Sequence, residues 1–316
     1  MEYYINDIAL STFGIIPGQA KTKGSNLALS GHLDFPKRIN KTSHSWGDRD
    51  GIEPYVSTEE MQFAGRDIDF HFLLEADSVT SAHAKIFGLY SLIEGLTGLA
   101  TLSCDFGSWS VFVRDEIQIT DLGRGALSGV IPFKEPVCDL SGLVPTEPNP
   151  DLIEGIDGVS WSSLGFALVD FRQLGISSSS IEGMLNRPKP KSGEFNSYAT
   201  EGFQITKTGA RKYKLIGGIE AVDYETLKTI ISGLYALFGS AGTRVLYLSG
   251  DLIRIVYCEE GFEIDQVVLD YKATARITIN FTEATEYVSS ENWQFLGDTV
   301  GNYVGTTEGQ KILIRI

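Results

Sequence analysis

At 316 residues, 42% hydrophobic and 11% aromatic, the chain is long enough to bury two cores of ordinary domain size. A formal net charge of −15, with 26 Lys and Arg against 41 Asp and Glu, argues against a basic surface that grips nucleic acid by displacing counterions. No run approaches the about 18 to 20 continuous apolar residues of a membrane helix, and Met1-Glu2-Tyr3-Tyr4 lacks the basic-then-apolar pattern of a secretory signal.

In chain order, the first long feature is a loop over residues 35–61. It carries Pro36-Lys37-Arg38, then Ser43-His44-Ser45-Trp46-Gly47, then Gly51-Ile52-Glu53-Pro54. A loop of this length inside a β domain is expected to be either functional or a solvated, disordered excursion, and its basic and aromatic residues suit docking onto an acidic neighbour, another copy of this chain included. A strand follows at residues 66–75, where Ile68, Phe70, Phe72 and Leu74 alternate with Asp67, Asp69 and His71. Residues 78–93 then read as a helix. Ser78 serves as its N-cap, and Val79, Ala82, Ile86, Leu89 and Ile93 share one face. Strands are expected at 100–104 and 109–113, with Gly107 in the turn between them. A long strand at 126–135 ends in Phe-x-Glu.

Residues 137–157, with Pro145, Pro148 and Pro150 and no sustained periodicity, read as an extended linker. The pattern then repeats. Tyr213 and Leu215 open the matching strand, and Asp223 caps a helix with Tyr224, Leu227, Ile231, Leu234 and Phe238 in the phase of the first. Gly-Leu-Tyr-x-Leu occurs at Gly88–Leu92 and again at Gly233–Leu237. Strands at 244–248 and 252–257 and a long strand at 273–283, again ending in Phe-x-Glu, complete the copy. Residues 171–176 echo 10–15, and residues 185–201, with Arg187 and Lys189, stand where the first copy has its long loop. The expected architecture is mainly β, of α+β type: two tandem antiparallel sandwich or barrel domains, 1–136 and 158–284, each with one packed helix. Residues 285–316 form a C-terminal β extension.

No catalytic constellation emerges. Asp48-Arg49-Asp50-Gly51 lacks the remaining oxygen ligands of a calcium loop. The four histidines make no His-x-x-x-His pair on a helix, and Cys104, Cys138 and Cys258 have no metal-like spacing. Glu259-Glu260 and Asp115-Glu116 are adjacent in strands, so their side chains point to opposite faces. The chain is read as a non-enzyme with no metal and no cofactor.

The opening Tyr4-Ile5-Asn6-Asp7-Ile8-Ala9-Leu10 with Phe13-Gly14, the Phe35-Pro36-Lys37-Arg38 strand end and the Trp46-containing loop resemble distal tail proteins of long-tailed bacteriophages and prophages. Gly65-Arg66-Asp67-Ile68, followed by a helix and three strands, is similar to the general tail-tube module. The resemblance implies a ring protein of the virion tail, assembled in the host cytoplasm, that joins the tail tube protein to a baseplate hub or tip protein and lets DNA pass through its lumen unheld. Two modules per chain imply a trimeric, pseudo-sixfold ring, with a hexamer as the alternative. Arg38, Trp46, Arg187 and Lys189 are the candidates for contacts between subunits. A tail tube protein with duplicated modules, a carbohydrate-binding adhesin using Trp46, Trp109 or Trp161, and a cell-wall hydrolase are the competing readings.

Overall fold

The structure, a computed structural model, describes residues 1–47, 50–138, 140, 154–166, 181–182, 189–195, 203–247, 254–284, 293–295 and 313–315. In the first half these form β1 (Tyr3–Ile5), β2 (Ile8–Ala9), β3 (Ile15–Pro17), β4 (Leu29–Ser30), β5 (Ser43–His44), β6 (Glu53–Pro54) and β7 (Arg66–Glu75). Helix α1 (Val79–Glu94) follows, then β8 (Ala100–Cys104), β9 (Gly107–Val113), β10 (Gln118–Gly123) and β11 (Ala126–Glu135). The second half holds β12 (Gly155–Ile156), β13 (Val159–Ser160), β14 (Ile181–Glu182), β15 (Pro190–Phe195), β16 (Phe203–Thr208) and β17 (Lys212–Ala221). After α2 (Tyr224–Gly239) come β18 (Arg244–Tyr247), β19 (Arg254–Leu269), β20 (Ala273–Glu283), β21 (Trp293–Phe295) and β22 (Leu313–Arg315).

Two antiparallel sheets carry the duplication. The first runs β2-β1-β8-β9-β11-β7-β3, with β10 and β4 added beside β11 and β7; the second runs β13-β12-β18-β19-β20-β17-β14. Position by position the order is the same, and each sheet holds its helix between the same two strands of the sequence. The architecture is mainly β with one helix per sheet, as the alternation and helical phases predict. Both helices start as expected: Ser78 Oγ accepts from Ser81 N–H at 3.2 Å, and Asp223 Oδ1 accepts from Thr226 N–H at 2.8 Å.

The repeat begins earlier than the linker reading has it. Strand β12 lies inside residues 137–157, because its turn is the counterpart of the first hairpin's. Asn6 and Asp7 have φ of 47° and 64°, and Asp157 and Gly158 have 51° and 74°, the left-handed pair that tightly joins two antiparallel strands. Asn6 Oδ1 accepts from Thr101 N–H at 2.8 Å, and Asp157 Oδ1 accepts from Val245 N–H at 2.7 Å. After each hairpin comes a short turn ending in a left-handed glycine, Gly14 or Gly165. The structural echo of residues 10–15 is therefore Trp161-Ser-Ser-Leu-Gly-Phe166; residues 171–176 lie outside the described residues.

Strand β19 is also much longer than the expected 252–257. Its register with β20 shifts between Cys258 and Phe262, a bulge that absorbs Glu259-Glu260-Gly261 and lets pairing resume. Gly261 has φ 72°.

The two helices differ in what covers them. On α1 only Ala82, Ile86 and Leu89 are buried, and Val79, expected on the core face, is 45% exposed. On α2 the whole expected stripe is buried, together with Tyr235, Ala236 and Leu237 on a second face. Helix α1 lies on one sheet, whereas α2 is covered from both sides. Leu89 and Leu234 sit at equivalent, fully buried places in the two cores. Replacing either with Ala will cost about 2–5 kcal/mol by cavity formation, read as a shift of the urea midpoint.

Candidate functional site

What covers α2 is the first module. Residues 25–38 run along β19, on the length of that strand that β18 does not reach. Ser25 Oγ donates to the Val267 carbonyl at 2.7 Å, and Asn26 exchanges two side-chain hydrogen bonds with the Leu269 backbone at 2.8 and 2.9 Å. Phe35 N–H donates to the Phe262 carbonyl, and Arg38 N–H donates to the Glu259 carbonyl, each at 2.9 Å. This arm satisfies backbone groups that an open sheet edge would leave bare. It also delivers apolar side chains: Leu27, Leu33 and Phe35 belong to the core of the second module. The Phe35 ring stacks on Phe262 with centroids 5.2 Å apart and touches Tyr235 at 5.3 Å. Gly261 is required here, since a β-carbon would collide with the Phe35 carbonyl.

Beneath the arm lies a buried polar joint. The Arg66 guanidinium pairs through Nε with Glu135 and donates through Nη1 to Tyr235 Oη at 2.9 Å. Tyr235 O–H passes the bond on to the Asp34 carbonyl at 3.0 Å, and the Asp34 carboxylate accepts from Ile264 N–H at 2.7 Å. His32 shares a 3.0 Å hydrogen bond with Tyr224 Oη and meets Trp109 edge to face. Lys228 on α2 donates to the Phe106 carbonyl at 3.1 Å. Residues of both modules alternate through this network, so it locks their relative position.

Among these groups, His32 and Asp34 are shifted in ways that act below neutral pH. Burial, with the Arg66 and Lys228 cations nearby, pushes the His32 imidazole down to about 3. Burial pushes the Asp34 carboxyl up to about 6, against the pull of the Ile264 N–H. The signs are opposite. The stability carried by a neutral His32 is complete above its ordinary 6.5 and is lost as pH falls. The contribution of Asp34 is complete below about pH 4 and is lost as pH rises through 6. Between pH 4 and 6 the two oppose each other. Relative to the parent protein, His32→Gln will therefore lose stability as pH rises from 4 to 6, and Asp34→Asn will lose it as pH falls from 6 to 4. The slopes are about 1.4 kcal/mol per pH unit at most, measured by urea unfolding across that window.

The long loop continues from the arm and stays on the second module. Thr42 Oγ1 donates to Glu259, Asp50 Oδ1 accepts from Thr208 N–H at 2.7 Å, and Lys191 Nζ donates to the Gly51 carbonyl. The loop thus meets an acidic residue of its own chain, Glu259, through the Thr42 hydroxyl. Arg38 is buried there, donating to the Tyr55 carbonyl and lying 5.8 Å over the Tyr257 ring. Trp46 is 43% exposed at the loop's tip, its indole N–H donating to Glu53 at 2.7 Å. Lys189 is exposed beside β15, and Arg187 lies outside the described residues, as do Asp48 and Arg49. Among the described residues, no three His, Cys, Asp or Glu side chains converge as metal ligands, and no helix is long and apolar enough to cross a membrane. Sequence reasoning missed His32, Asp34 and Arg66. His32 and Asp34 carry one signal, polar residues interleaved with the core residues Leu33 and Phe35, and Arg66, between Gly65 and Asp67, carries none.

The outer face of the first sheet is a different surface. Arg114 bridges Asp67 and Asp69 at 2.6 and 2.8 Å, and Lys134 reaches Asp67 at 2.7 Å. Both of these cations are held by carboxylates. Trp109 and Trp161 are buried in the two separate cores and line no groove with Trp46.

No protein-family model matches the chain, and no curated protein matches it. Among solved structures, the chain is similar to the crystal structure of the SPP1 Dit (gp 19.1) protein, described as a paradigm of the hub adsorption apparatus in phages that infect Gram-positive bacteria. The identity is 11%, over 89% of this chain and 98% of that one, with a TM-score of 0.34.

Proposed function

We propose that this chain is a structural component of a phage tail: a distal ring protein that joins the tail tube to the tip and forms part of the DNA conduit. The observation that carries the reading is the duplicated module itself, two sheets of identical strand order, each with one helix, joined rigidly through the arm and the polar joint. The resemblance of the opening residues and the Trp46 loop to distal tail proteins supports placing such a module in a tail assembly. Three chains supply six modules, which matches a sixfold tube end to a threefold tip; a ring of six chains is the alternative. Closed rotational symmetry is the common form of homo-oligomer and disposes of exposed sheet edges. The paired charges on the first sheet's outer face and the net charge of −15 suit a lumen that DNA crosses without being held. Trp46 and Lys189 contact the neighbouring subunit or the adjoining tube, hub or tip protein, and Arg38 serves by anchoring the loop that presents Trp46. The chain acts without catalysis and without a metal or cofactor. Negative-stain electron microscopy of the purified protein tests the reading: rings with an open centre support it, and single particles of one chain at high concentration, with no ring of this protein on intact tails, contradict it.

A further inference from the structure

The duplication exposes an asymmetry. At the C-terminal end of α2, Arg38, Val56 and Met61 of the first module close over Phe238, Gly242, Arg244, Tyr257 and Cys258 of the second, and the hollow that all eight line is only about 10 Å³. Counting from the helix caps, Phe238 and Gly242 match Ile93 and Thr97. Across the sheets, Cys258 faces Phe281 as Val113 faces Phe133, so Tyr257 and Cys258 match Phe112 and Val113. Those four first-module residues, with Leu96 and Leu99, line an open groove of about 580 Å³. Leu99 is 57% exposed and Phe112 40%, whereas Tyr257 is buried. Nearby on α1, Phe87 is 65% exposed.

A second correspondence says what the groove is for. Arg66 reaches Tyr235 on α2, and Tyr235 matches Tyr90 on α1. Arg211 stands where Arg66 does: each precedes its strand's apolar run and pairs with the glutamate of Phe-x-Glu, Arg66 with Glu135 and Arg211 with Glu283 at 3.7 Å. Arg211 Nη1 donates to Tyr213 Oη at 3.3 Å within its own sheet, and its buried Nε, beside Glu283, makes no hydrogen bond among the described residues.

We infer that the groove at the end of α1 seats the second module of a neighbouring copy of this chain, with Arg211 of that copy directed at Tyr90. This deepens the ring reading and rests on it. The interface between chains repeats the interface within the chain, so first and second modules alternate around the ring and every helix has the same kind of cover. Such a head-to-tail contact closes when the rotation per module returns to its start. The occupant is a copy of this chain because the equivalent hollow is filled by this chain's own other module.

The test uses the full chain. Leu99→Glu and, separately, Phe112→Glu place a charge in the groove at exposed positions, so the monomer keeps its melting temperature and circular dichroism. Light scattering across a concentration series is expected to show self-association weakened at least tenfold in both. Phe87→p-benzoylphenylalanine in the otherwise unchanged protein is expected, after irradiation, to link between chains to second-module peptides that include Arg211. Rings that form as well in both charged variants as in the parent protein, or links confined to first-module peptides, overturn this inference and leave the ring reading standing. A parent protein that stays monomeric at every concentration also overturns it; the ring reading falls separately, when intact tails show no ring of this chain.

Discussion

Phe35→Ala is expected to lower stability by about 3–5 kcal/mol, the range for removing a large buried aromatic. Phe35 belongs by sequence to the first module, yet it stacks on Phe262, touches Tyr235 and sits in the second module's core. The loss will therefore be located in the second half of the chain. Hydrogen exchange will quicken in β19 and α2 and stay close to its original rate in β7 and β11, where the first core is untouched. If the modules are independent beads on a linker, the same substitution leaves β19 unaffected, and the arm is a mere covering. Chemical denaturation at unchanged slope gives the magnitude, and exchange gives its place.

Arg66→Ala will have an effect of similar size, about 3–5 kcal/mol, because it leaves the Glu135 carboxylate buried without its cation. Both side chains of the pair are nearly inaccessible, and Arg66 also anchors Tyr235 and, through it, the Asp34 carbonyl. The counterpart Arg211→Ala supplies the internal comparison. Glu283 retains Arg254 at 3.0 Å, and Arg211 is more exposed, so this substitution will cost clearly less in the monomer. Equal losses at the two positions would mean that the arginine holds its own sheet and nothing between the modules.

How much of this was legible from the residues depends on the range of the contact. Strands β7, β8, β11 and β20 and both helices were readable because their periodicity is local: Ile68, Phe70, Phe72 and Leu74 alternate within one strand, and Leu89 and Leu234 fall in phase from a cap. The hairpin repeat was harder to see. Asn6-Asp7 and Asp157-Gly158 share a backbone conformation and no residue, so the physical equivalence leaves little trace as identity. The strand expected at 252–257 runs on through a bulge at Gly261, over which a distant segment passes, and nothing near Gly261 in sequence announces Phe35. Exposure on α1 followed the same logic. Val79 has the helical phase of a core residue, but burial there needs a second layer, and the layer that reaches its counterpart Tyr224 comes from a distant part of the chain, at His32. Of the candidate contact residues, Trp46 lies at an exposed tip, while Arg38 is buried against Tyr257, a position that charge and loop length could not distinguish.

The most direct test of the account is a cryo-electron microscopy reconstruction of the assembled protein, or of the intact tail that contains it. The expected map shows a ring of six sheet-and-helix modules around an open lumen, built from three chains, with first and second modules alternating. A ring built from six chains, with one module set facing the lumen and the other outside it, would contradict the alternation, and a tail with no density for this chain would contradict the assignment itself.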